Sequence, residues 1–399
     1  MGIRDCGCCN LRETTIYHKI IGVKMNVEDI VTDANILYES SLKVRQSSPG
    51  KQSTIIFMRD QLLEIKRAQE ELHSRTWKIE NMQPFLISER GHIRKIQGNI
   101  PYDRMIIHSY IDYCLEPELK KYLIYDNYAS QTGKGTELAR TRFKQYLSSA
   151  YREYGTNKFY VLLVDFKKFY DNIQHQLLYD GIMNKIKYDQ FHEYMLWTIL
   201  DSFQVDVSWM SDEEYSNCLN TLYVALDHLY DEQLGEKYMS KSINIGNQAS
   251  QLFSIFYPTR IDNYCKIVNG LKRYGRYMDD IFIIHKDKQY LWNILDGIKE
   301  ISLELGLFIN EKKTQLYRVD NDFKFLNRIY KVTPTGHISE RLAPNTIYRE
   351  EYKVKKYKEL GKSIDDQFNS WIGSFSHKMT QWEIDKIYEL VNDTNPIFI

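Results

Sequence analysis

Two apolar, β-rich runs, each with aspartate at one end, constrain the fold more than any other feature of the sequence. The first run, residues 159–164, leads directly into Asp165, and the second, residues 281–284, directly follows Asp279 and Asp280. Such runs predict buried strands. Since helical sequence separates them, we expect an antiparallel sheet backed by helices, with carboxylates delivered to the ends of two strands.

Helical periodicity dominates the rest of the chain. Apolar residues recur at helical spacing in residues 26–80, and residues 47–50 have turn composition between two of these helices. Residues 84–98 have the pattern of a short hairpin around Gly91, and residues 345–399 are mostly helical in pattern. At 399 residues the chain exceeds one ordinary core, so we expect two or three subdomains.

Cysteine usage and hydropathy bear on where the protein resides. Cys6, Cys8 and Cys9 crowd the N-terminus, and no second pair at metal-ligand spacing follows them. We therefore interpret this stretch as a tail in a reducing compartment rather than as a zinc or lipid site. No run of about 18 apolar residues, the length that a membrane span needs, occurs in the sequence. These features predict a cytoplasmic, disulfide-free protein that does not cross a membrane.

The charge balance is neutral overall but uneven along the chain. The 53 Lys and Arg residues equal the 53 Asp and Glu residues, whereas nucleic-acid binders are usually basic. Basic residues crowd 140–168, 271–288 and 349–362, while acidic residues cluster at 211–214 and 229–236. A polarised surface of this kind is compatible with binding to a nucleic-acid backbone.

The three aspartates at the strand ends suit phosphoryl transfer. Transfer onto a 3′-hydroxyl uses two divalent cations about 3.5–4 Å apart, and magnesium requires oxygen ligands on rigid elements. Asp165 and the Asp279–Asp280 pair would supply those ligands. An Asp-Asp pair alone is weak evidence, because most such pairs are solvated turns, but here an apolar strand flanks the pair.

Five motifs, in order, resemble those of reverse transcriptases. Residues 277–280, Tyr-Met-Asp-Asp, resemble the YMDD box, and residues 165–171 resemble the first carboxylate motif. Residues 245–251 resemble the template-and-nucleotide motif, residues 305–314 the motif after the YMDD box, and residues 325–326 the primer grip. Five motifs in the family's order make the resemblance highly specific.

The resemblance implies an α+β fold of the right-hand polymerase type, and its motifs cover roughly residues 84–330. The implied subdomains are an N-terminal helical extension (1–83), fingers (84–158), a palm with an antiparallel sheet and an insertion at about 203–241 (159–335), and a helical thumb (336–399).

The implied activity is RNA-directed DNA polymerisation, in which dNTPs extend a primer 3′ end on template RNA and give a DNA product. Two Mg²⁺ ions, with Mn²⁺ as an alternative, would be bound by the first carboxylate motif and the YMDD box. The residues concerned are Asp165, Phe166, Asp279 and Asp280. Lys313 resembles the lysine that protonates the leaving pyrophosphate, and its neighbour Lys312 is an alternative for this general-acid role.

Residues that resemble the nucleotide-binding set lie in three places. Tyr170 would lie under the incoming sugar and exclude a 2′-hydroxyl; the alternative is a core aromatic. Arg90 and Arg94 fall in the basic finger hairpin that would grip the triphosphate; the alternative is a solvated basic turn. The candidates in the template motif are Gly246, Asn247 and Gln248.

The C-terminal helices carry a basic face. Its members lie within seven residues of one another: Lys353, Lys355, Lys356 and Lys358. These lysines, interleaved with tyrosines, suit contacts along a template–primer backbone, although a solvated helix face is an equal alternative. Trp371 and Phe375, four residues apart, are expected in the core.

The template motif departs from that of group II intron and retroviral enzymes. Ile245 stands in place of a glutamine and Gln251 in place of a proline, a version similar to that of diversity-generating retroelement reverse transcriptases. Because Ile245 removes a polar contact beside the nascent base pair, we hypothesise that copying has low fidelity.

Other features resemble bacterial reverse transcriptases of anti-phage defence, which work with a dedicated noncoding RNA or a partner protein. These features are the neutral charge, the insertion at about 203–241 and Asn327 in place of the usual primer-grip glycine. A bacterial or phage retroelement and a defence system both stay open, as does homo-oligomer formation. Two alternative functions are an inactive polymerase fold serving as an RNA-binding scaffold, which the three carboxylates disfavour, and an RNA-dependent RNA polymerase, which Tyr170 disfavours.

Overall fold

The computed structural model describes most of the chain. The described residues are 26–79, 83–89, 92–223, 237–361, 365–376, 379 and 381–392. Cys6, Cys8, Cys9, Arg90 and the middle of the insertion lie outside these residues. Within the described ranges, no helix combines the length and apolar character that a bilayer span requires.

Within the described residues, four helices form an N-terminal helical layer. They are α1 (Val27–Val31), α2 (Ala34–Ser47), α3 (Gln52–Arg59) and α4 (Gln61–His73). The side chains of Asn26 and Asp33 accept hydrogen bonds from backbone N–H groups in the first turns of α1 and α2. Leu37, Val44 and Leu72, which follow the helical spacing, are buried. The predicted helices, and the break between α2 and α3, are confirmed.

A hairpin and further helices follow. They are β1 (Gln83–Glu89), β2 (His92–Gly98), α5 (Pro101–Tyr110), a π-helical segment (Ile111–Leu115), α6 (Glu116–Leu119), a 3₁₀ turn (Lys120–Tyr122) and α7 (Thr136–Tyr154). Pro101 begins α5, where its missing N–H would have had no helical partner. Gly155, with a φ of +66°, ends α7 in the left-handed conformation that favours glycine. The predicted hairpin and helices are confirmed.

A four-stranded antiparallel sheet, in the order β10-β3-β8-β7, occupies the centre. Its strands are β3 (Tyr160–Val164), β7 (Tyr274–Tyr277), β8 (Asp280–His285) and β10 (Gln315–Arg318). The two apolar runs of the sequence form the two central strands, β3 and β8, which pair antiparallel with Val164 opposite Ile281. The predicted antiparallel sheet with aspartates at its strand ends is confirmed.

Both faces of this sheet are covered, which explains why the two runs are apolar throughout rather than alternating. Leu162 and Ile283 pack into one hydrophobic cluster, which also contains residues of the N-terminal helices. Val161 and Phe282 face the other way, into a cluster with Phe143 of α7. The ring of Phe143 packs against the edge of Phe282 at a centroid distance of 4.9 Å.

Helices and short strands connect the sheet strands. They are β4 (Phe166–Lys167), a 3₁₀ turn (Tyr170–Asn172), α8 (His175–Met183), α9 (Gln190–Asp201), β5 (Val205–Asp206), α10 (Asp212–Asn220), β6 (Tyr238–Met239), α11 (Gln248–Phe256), α12 (Thr259–Asn263), a π-helical segment (Tyr264–Val268), α13 (Lys288–Glu304) and β9 (Phe308–Ile309). Strand β4 pairs with β9, and β5 pairs with β6.

The described part of the insertion has its own small core and is anchored by a buried lysine. The core contains Val207, Met210, Tyr223 and Met239. Lys241 is buried, and its ammonium group donates hydrogen bonds to backbone carbonyl oxygens at the end of α10, including that of Cys218 at 3.1 Å. Burial lowers the pKa of Lys241 to about 8. These bonds satisfy carbonyl groups that a helix end leaves without partners.

As far as the structure describes it, the C-terminal part has a three-stranded sheet and three helices. The elements are β11 (Phe323–Phe325), β12 (Arg328–Val332), β13 (Ile338–Leu342), α14 (Pro344–Glu359), α15 (Asp365–Phe375) and α16 (Gln381–Asn392). A separate hydrophobic cluster includes Val354, Phe368 and Ile387 from the three helices. Trp371 and Phe375 pack against this cluster with their rings 5.3 Å apart, as predicted for core residues.

Candidate active site

The register of the central strands brings the first aspartate beside the second pair. Val164 is opposite Ile281, so Asp165 directly follows β3 at the level where Asp280 begins β8. Residues directly opposite on antiparallel strands have their Cβ atoms about 4.5–5.5 Å apart and point to the same face. The sheet therefore places Asp165 and Asp280 as neighbours at one end.

Polar groups from the segment after β9 hold Asp165 on several sides. The Asn310 side-chain amide donates to Asp165 Oδ1 at 2.8 Å, and Lys313 Nζ donates to Asp165 Oδ2 at 3.3 Å. The Asp165 backbone N–H donates to Thr314 Oγ1 at 3.3 Å, and the Asn310 N–H donates to the Asp165 carbonyl oxygen at 2.8 Å. Lys313, and not its neighbour Lys312, is thus the lysine recorded at this carboxylate.

Asp279 lies in a tight turn between β7 and β8. Tyr277 pairs with Asp280, so only Met278 and Asp279 connect the two strands. Met278 has a φ of +54°, in the left-handed region that a non-glycine residue rarely adopts. Tight packing must hold this conformation, because it is costly for a side chain as large as methionine.

The oxygen ligands at this site suit divalent cations whose coordination is completed by a bound substrate. Among the residues that the structure describes, no group of three His, Cys, Asp or Glu side chains forms a ready-made metal cage. Magnesium in phosphoryl-transfer sites takes one or two carboxylates and completes its octahedron with substrate phosphates and water. Neighbouring carboxylates of Asp165 and Asp280 meet that requirement. Because the Phe166 side chain is buried and apolar, only its backbone carbonyl oxygen could be a ligand.

Tyr170 lies in the 3₁₀ turn that follows β4. Its ring is half-buried and packs edge-on against Phe169 at a centroid distance of 5.4 Å. Its carbonyl oxygen accepts a hydrogen bond from the backbone N–H of Ile243 at 3.0 Å, which connects this turn to the segment just before the template motif. The ring is therefore fixed in place without being enclosed in the core.

The template motif wraps the start of α11 and touches the β1–β2 hairpin. Gly246 is exposed with a φ of +117°, and a Cβ atom there would lie 2.7 Å from a methyl carbon of Ile96. Asn247 caps α11, since its Oδ1 accepts from the Ser250 N–H at 2.7 Å. Its Nδ2 donates to Asn99 Oδ1 at 3.3 Å. Glycine is favoured here by the positive φ and by the Ile96 side chain, which would have to shift to admit a Cβ atom.

The Gln248 side chain is oriented by Asp112, a charged residue that the sequence did not indicate. Its Nε2 donates to Asp112 Oδ1 at 3.0 Å, and Lys43 Nζ and His108 Nδ1 contact the other oxygen of that carboxylate. Burial alone would raise the pKa of Asp112, but His108 and Lys43 lower it below the ordinary value. Asp112 is therefore an anion, and both Asn247 and Gln248 bond within the protein.

The two basic residues of the hairpin are only partly described. Arg94 lies in β2 opposite Ile87, so it belongs to the hairpin as expected. Arg90 lies outside the described residues. Their binding of a triphosphate stays a prediction.

The primer-grip hairpin explains the departure at Asn327. Leu326 and Asn327 form the turn between β11 and β12 and have φ values of +42° and +63°. A two-residue hairpin with two positive φ angles favours glycine or asparagine, so Asn327 keeps the turn that glycine would make. Arg140 of α7 donates from Nη2 to the Leu326 carbonyl oxygen at 2.8 Å and steadies the tip.

The basic face of the C-terminal helices divides into two kinds of lysine. Lys355 and Lys356 are exposed on α14, whereas Lys353 lies 3.6 Å from a carboxylate oxygen of Glu350. Tyr352 beside them is 67% exposed, so it is not a core residue. Lys355, Lys356 and Tyr352 are therefore the group that could contact a nucleic-acid backbone.

Sequence reasoning missed several residues that shape the site. Asn310 and Thr314 stood in a recognised motif, but nothing in the local pattern indicated that they contact Asp165. The apolar pair of β9 directly before Asn310, which pairs with β4 directly after Asp165, is the signal that could have found them.

A family comparison agrees with this geometry. The family model described as reverse transcriptase (RNA-dependent DNA polymerase) matches residues 93–330, more than half of the chain. No curated protein sequence gives a significant match. A solved structure of telomerase from Candida albicans, in complex with a TWJ fragment of telomeric RNA, is similar with a TM-score of 0.43 and 12% sequence identity. The similarity covers 72% of this chain and 50% of the telomerase chain, so this chain spans about half the length of that structure.

The family match and the mixed architecture confirm the predicted α+β, right-hand polymerase fold. The matched segment contains the two central strands, all three aspartates, the template motif and the primer-grip hairpin. The chain therefore belongs to the reverse transcriptase (RNA-dependent DNA polymerase) family of nucleotidyltransferases.

Proposed function

We propose that the chain is an RNA-directed DNA polymerase that extends a primer 3′ end with dNTPs by two-metal-ion phosphoryl transfer. The observation that carries the proposal is the β3–β8 register, which brings Asp165 to the end of the sheet where Asp280 begins β8, with Asp279 in the adjoining turn. Family membership supports the same reaction. Asp165, Asp279, Asp280 and the Phe166 carbonyl oxygen would hold two Mg²⁺ ions, for which Mn²⁺ could substitute.

The residues around the aspartates have distinct roles in this proposal. Bound Mg²⁺ would lower the pKa of the primer hydroxyl and neutralise charge on the triphosphate. Asn310 keeps the Asp165 carboxylate in a fixed orientation through its 2.8 Å hydrogen bond. Lys313, whose side chain is 68% exposed, leaves Asp165 when substrate binds and donates a proton to the leaving pyrophosphate.

Nucleotide selection rests on three sets of residues. Tyr170 excludes the 2′-hydroxyl of a ribonucleotide, and Arg90 and Arg94 bind the triphosphate. Gly246 offers exposed backbone beside the nascent base pair, while Asn247 and Gln248 shape that loop through Asn99 and Asp112.

A primer-extension matrix tests the reaction. The wild-type protein is given a primer annealed to RNA or to DNA, with either dNTPs or rNTPs and with Mg²⁺ or Mn²⁺. We expect extension on RNA with dNTPs, and we expect Tyr170→Ala, but not Tyr170→Phe, to admit rNTPs about 10- to 200-fold better. Extension with rNTPs alone would indicate an RNA polymerase. Absence of extension on every template would leave the scaffold alternative.

The biological setting is a bacterial or phage retroelement or an anti-phage defence system in this proposal. The insertion is the surface that we assign to a dedicated noncoding RNA or a partner protein, since it adds exposed side chains such as Trp209 at 56%. It docks beside the proposed nucleotide site: the Asn172 side chain and the Tyr223 backbone exchange two hydrogen bonds of 2.9 Å. A homo-oligomer is the alternative assembly.

Sequencing of nucleic acid co-purified with the protein tests the setting. The wild type is compared with the Asp279→Asn/Asp280→Asn variant, so that only templated product differs. Adenine-targeted errors against a local repeat would indicate diversity generation, whereas a repetitive product from a small RNA would indicate defence. Deleting residues 205–239 without loss of any co-purified partner would contradict the role assigned to the insertion.

A further inference from the structure

The geometry points to Arg276 as a positioning residue for the acidic turn, locked in place by Asp262. This inference rests on the proposed function, because it assigns a role in the same reaction. Arg276 lies three residues before Asp279, and its guanidinium group donates to Asp262 and to backbone carbonyl oxygens. It acts through the backbone of the turn that carries Asp279 and Asp280.

Arg276 reaches the turn from inside the core. It is fully buried on β7, and its Nη1 donates to the carbonyl oxygen of Met278 at 3.0 Å. Met278 is the residue with the left-handed φ of +54°. A hydrogen bond to its carbonyl oxygen fixes the peptide plane between Met278 and Asp279, and hence the direction in which Asp279 leaves the turn. Ser254 Oγ, 3.4 Å from Met278 Sδ, adds a contact on the side chain of the same residue.

Asp262 of α12 holds the guanidinium group from the opposite side. Arg276 Nε donates to Asp262 Oδ1 at 2.9 Å, and Nη2 donates to Oδ2 at 2.6 Å, a bidentate geometry. Nη2 also donates to the Ile255 carbonyl oxygen at 2.8 Å, and the Tyr274 hydroxyl donates to Asp262 at 2.5 Å. Both charged side chains are fully buried. The guanidinium plane therefore has no freedom to turn away from Met278.

The backbone of Arg276 is fixed as well. Its N–H donates to the Asp126 carbonyl oxygen at 2.9 Å, and its own carbonyl oxygen accepts from the Tyr128 N–H at 2.9 Å. The side chain thus works from a rigid strand.

The position of the positive charge matters as much as the hydrogen-bond geometry. Asp279 and Asp280 are adjacent like charges, which repel each other unless a cation is near. The guanidinium lies between Asp262 and the turn, so the positive end of the buried pair faces the turn. Arginine can perform this task because its planar fork spans Asp262 and Met278 at once, whereas the lysine ammonium is a compact point charge.

The test uses Arg276→Lys, with Arg273→Lys as the matched control. Arg273 is also buried, just before β7, but its guanidinium donates to Ser149 and to the Tyr154 hydroxyl rather than to the turn. For Arg276→Lys we expect kcat in RNA-templated extension to fall about tenfold or more and the half-saturating Mg²⁺ concentration to rise. We also expect faster amide hydrogen exchange confined to residues 277–282. Arg273→Lys should change none of the three.

A second variant separates positioning from folding. Tyr274→Phe/Asp262→Leu/Arg276→Met replaces the whole buried polar group with apolar side chains, a change that folded proteins often tolerate. We expect a folded protein with fast exchange in residues 277–282 and reduced kcat. Wild-type exchange and kcat in a folded Arg276→Lys protein would overturn the inference. Hydrogen exchange decides it even if the wild type extends no primer, an outcome that would instead remove the proposed function.

Discussion

Asp165 and the Asp279–Asp280 turn lie at the same end of one sheet, but they are held by different kinds of contact. Asp165 is held at its own carboxylate oxygens, by Asn310 and by Lys313. The turn is held through its backbone, by the fully buried Arg276. The support of Asp165 reaches the protein surface, whereas the support of the turn lies in the core.

This difference predicts which support moves during the reaction. The Lys313 side chain is 68% exposed, so its ammonium group can exchange the Asp165 carboxylate for water without losing hydration. Lys313 can therefore leave Asp165 at little cost when a cation and a triphosphate arrive. Breaking the Arg276–Asp262 pair would leave an uncompensated buried charge, at a cost of about 3–5 kcal/mol. The turn is accordingly the fixed side of the site.

We expect the largest effect on the extension rate when carboxylate charge is removed, either at Asp165 or in the Asp279–Asp280 turn. Asp165→Asn and Asp279→Asn/Asp280→Asn should each lower the rate of primer extension by about 10³-fold or more, because each removes metal ligands. Single-turnover extension on an RNA template measures the rate. Asp296→Asn, on the exposed surface of α13, is the control and should retain the wild-type rate. Comparable activity in Asp165→Asn would remove Asp165 from the site.

Replacing Lys313, the mobile cation, should have the next largest effect on the extension rate. Lys313→Ala should lower the rate about 10²-fold or more, because a general acid contributes about 10²–10⁴-fold. Lys312→Ala is the matched control, since Lys313 alone of the two is recorded at Asp165. Steady-state extension rates measured above and below neutral pH compare the two variants. A larger loss in Lys312→Ala would exchange their roles.

Asn310 should have a moderate effect confined to the side that carries Asp165. Asn310→Ala removes the 2.8 Å hydrogen bond to Oδ1, and loss of an outer-shell partner typically costs about 10–100-fold in activity or metal affinity. The rate of extension and its Mg²⁺ dependence measure this loss. Asn321→Ala changes an exposed asparagine in the turn before β11 and should leave both unchanged. Normal Mg²⁺ dependence in Asn310→Ala would show that Asp165 needs no such partner.

We expect the smallest effect on the extension rate from a residue that supports neither Asp165 nor the Asp279–Asp280 turn. Ile245→Gln restores the polar side chain usual in the template motif, which lies outside the hydrogen bonds that hold Asp165 and the turn. We expect extension within about twofold of the wild-type rate, since the machinery of transfer is untouched, but fewer misincorporations. Sequencing of products made on a defined RNA template measures both. An unchanged error spectrum would remove the hypothesis that Ile245 lowers fidelity.

The strands and aspartates could be predicted because their signal is local. Burial on both faces makes β3 and β8 continuously apolar, and a strand end fixes where each aspartate emerges. The supports could not be predicted in the same way. Asn310 lies 145 positions from Asp165 along the chain, and Arg276 of β7 bonds to Asp262 of α12. Such contacts depend on the path of the whole chain, which periodicity does not contain.

Two residues of the site show what a local sequence pattern does not contain. Asn327 departs from the family's glycine, yet its φ of +63° shows that the backbone shape is kept. Gln248 lies in the template motif, and its amide donates to Asp112, 136 positions away along the chain. In both cases the backbone conformation or a distant charge decides the role, and neither can be read from spacing.

Cleavage of the backbone by bound Fe²⁺ tests most directly whether the two sides form one cation site. Fe²⁺ replaces Mg²⁺ in the protein with primer, RNA template and dNTP. Bound Fe²⁺ then reduces added hydrogen peroxide to hydroxide and a hydroxyl radical, which cuts the chain near the ion. The account predicts cuts near both Asp165 and residues 279–280 in the wild type, and loss of both sets in Asp165→Asn. Cuts at one segment alone, or cuts at 279–280 that persist in Asp165→Asn, would contradict a shared site.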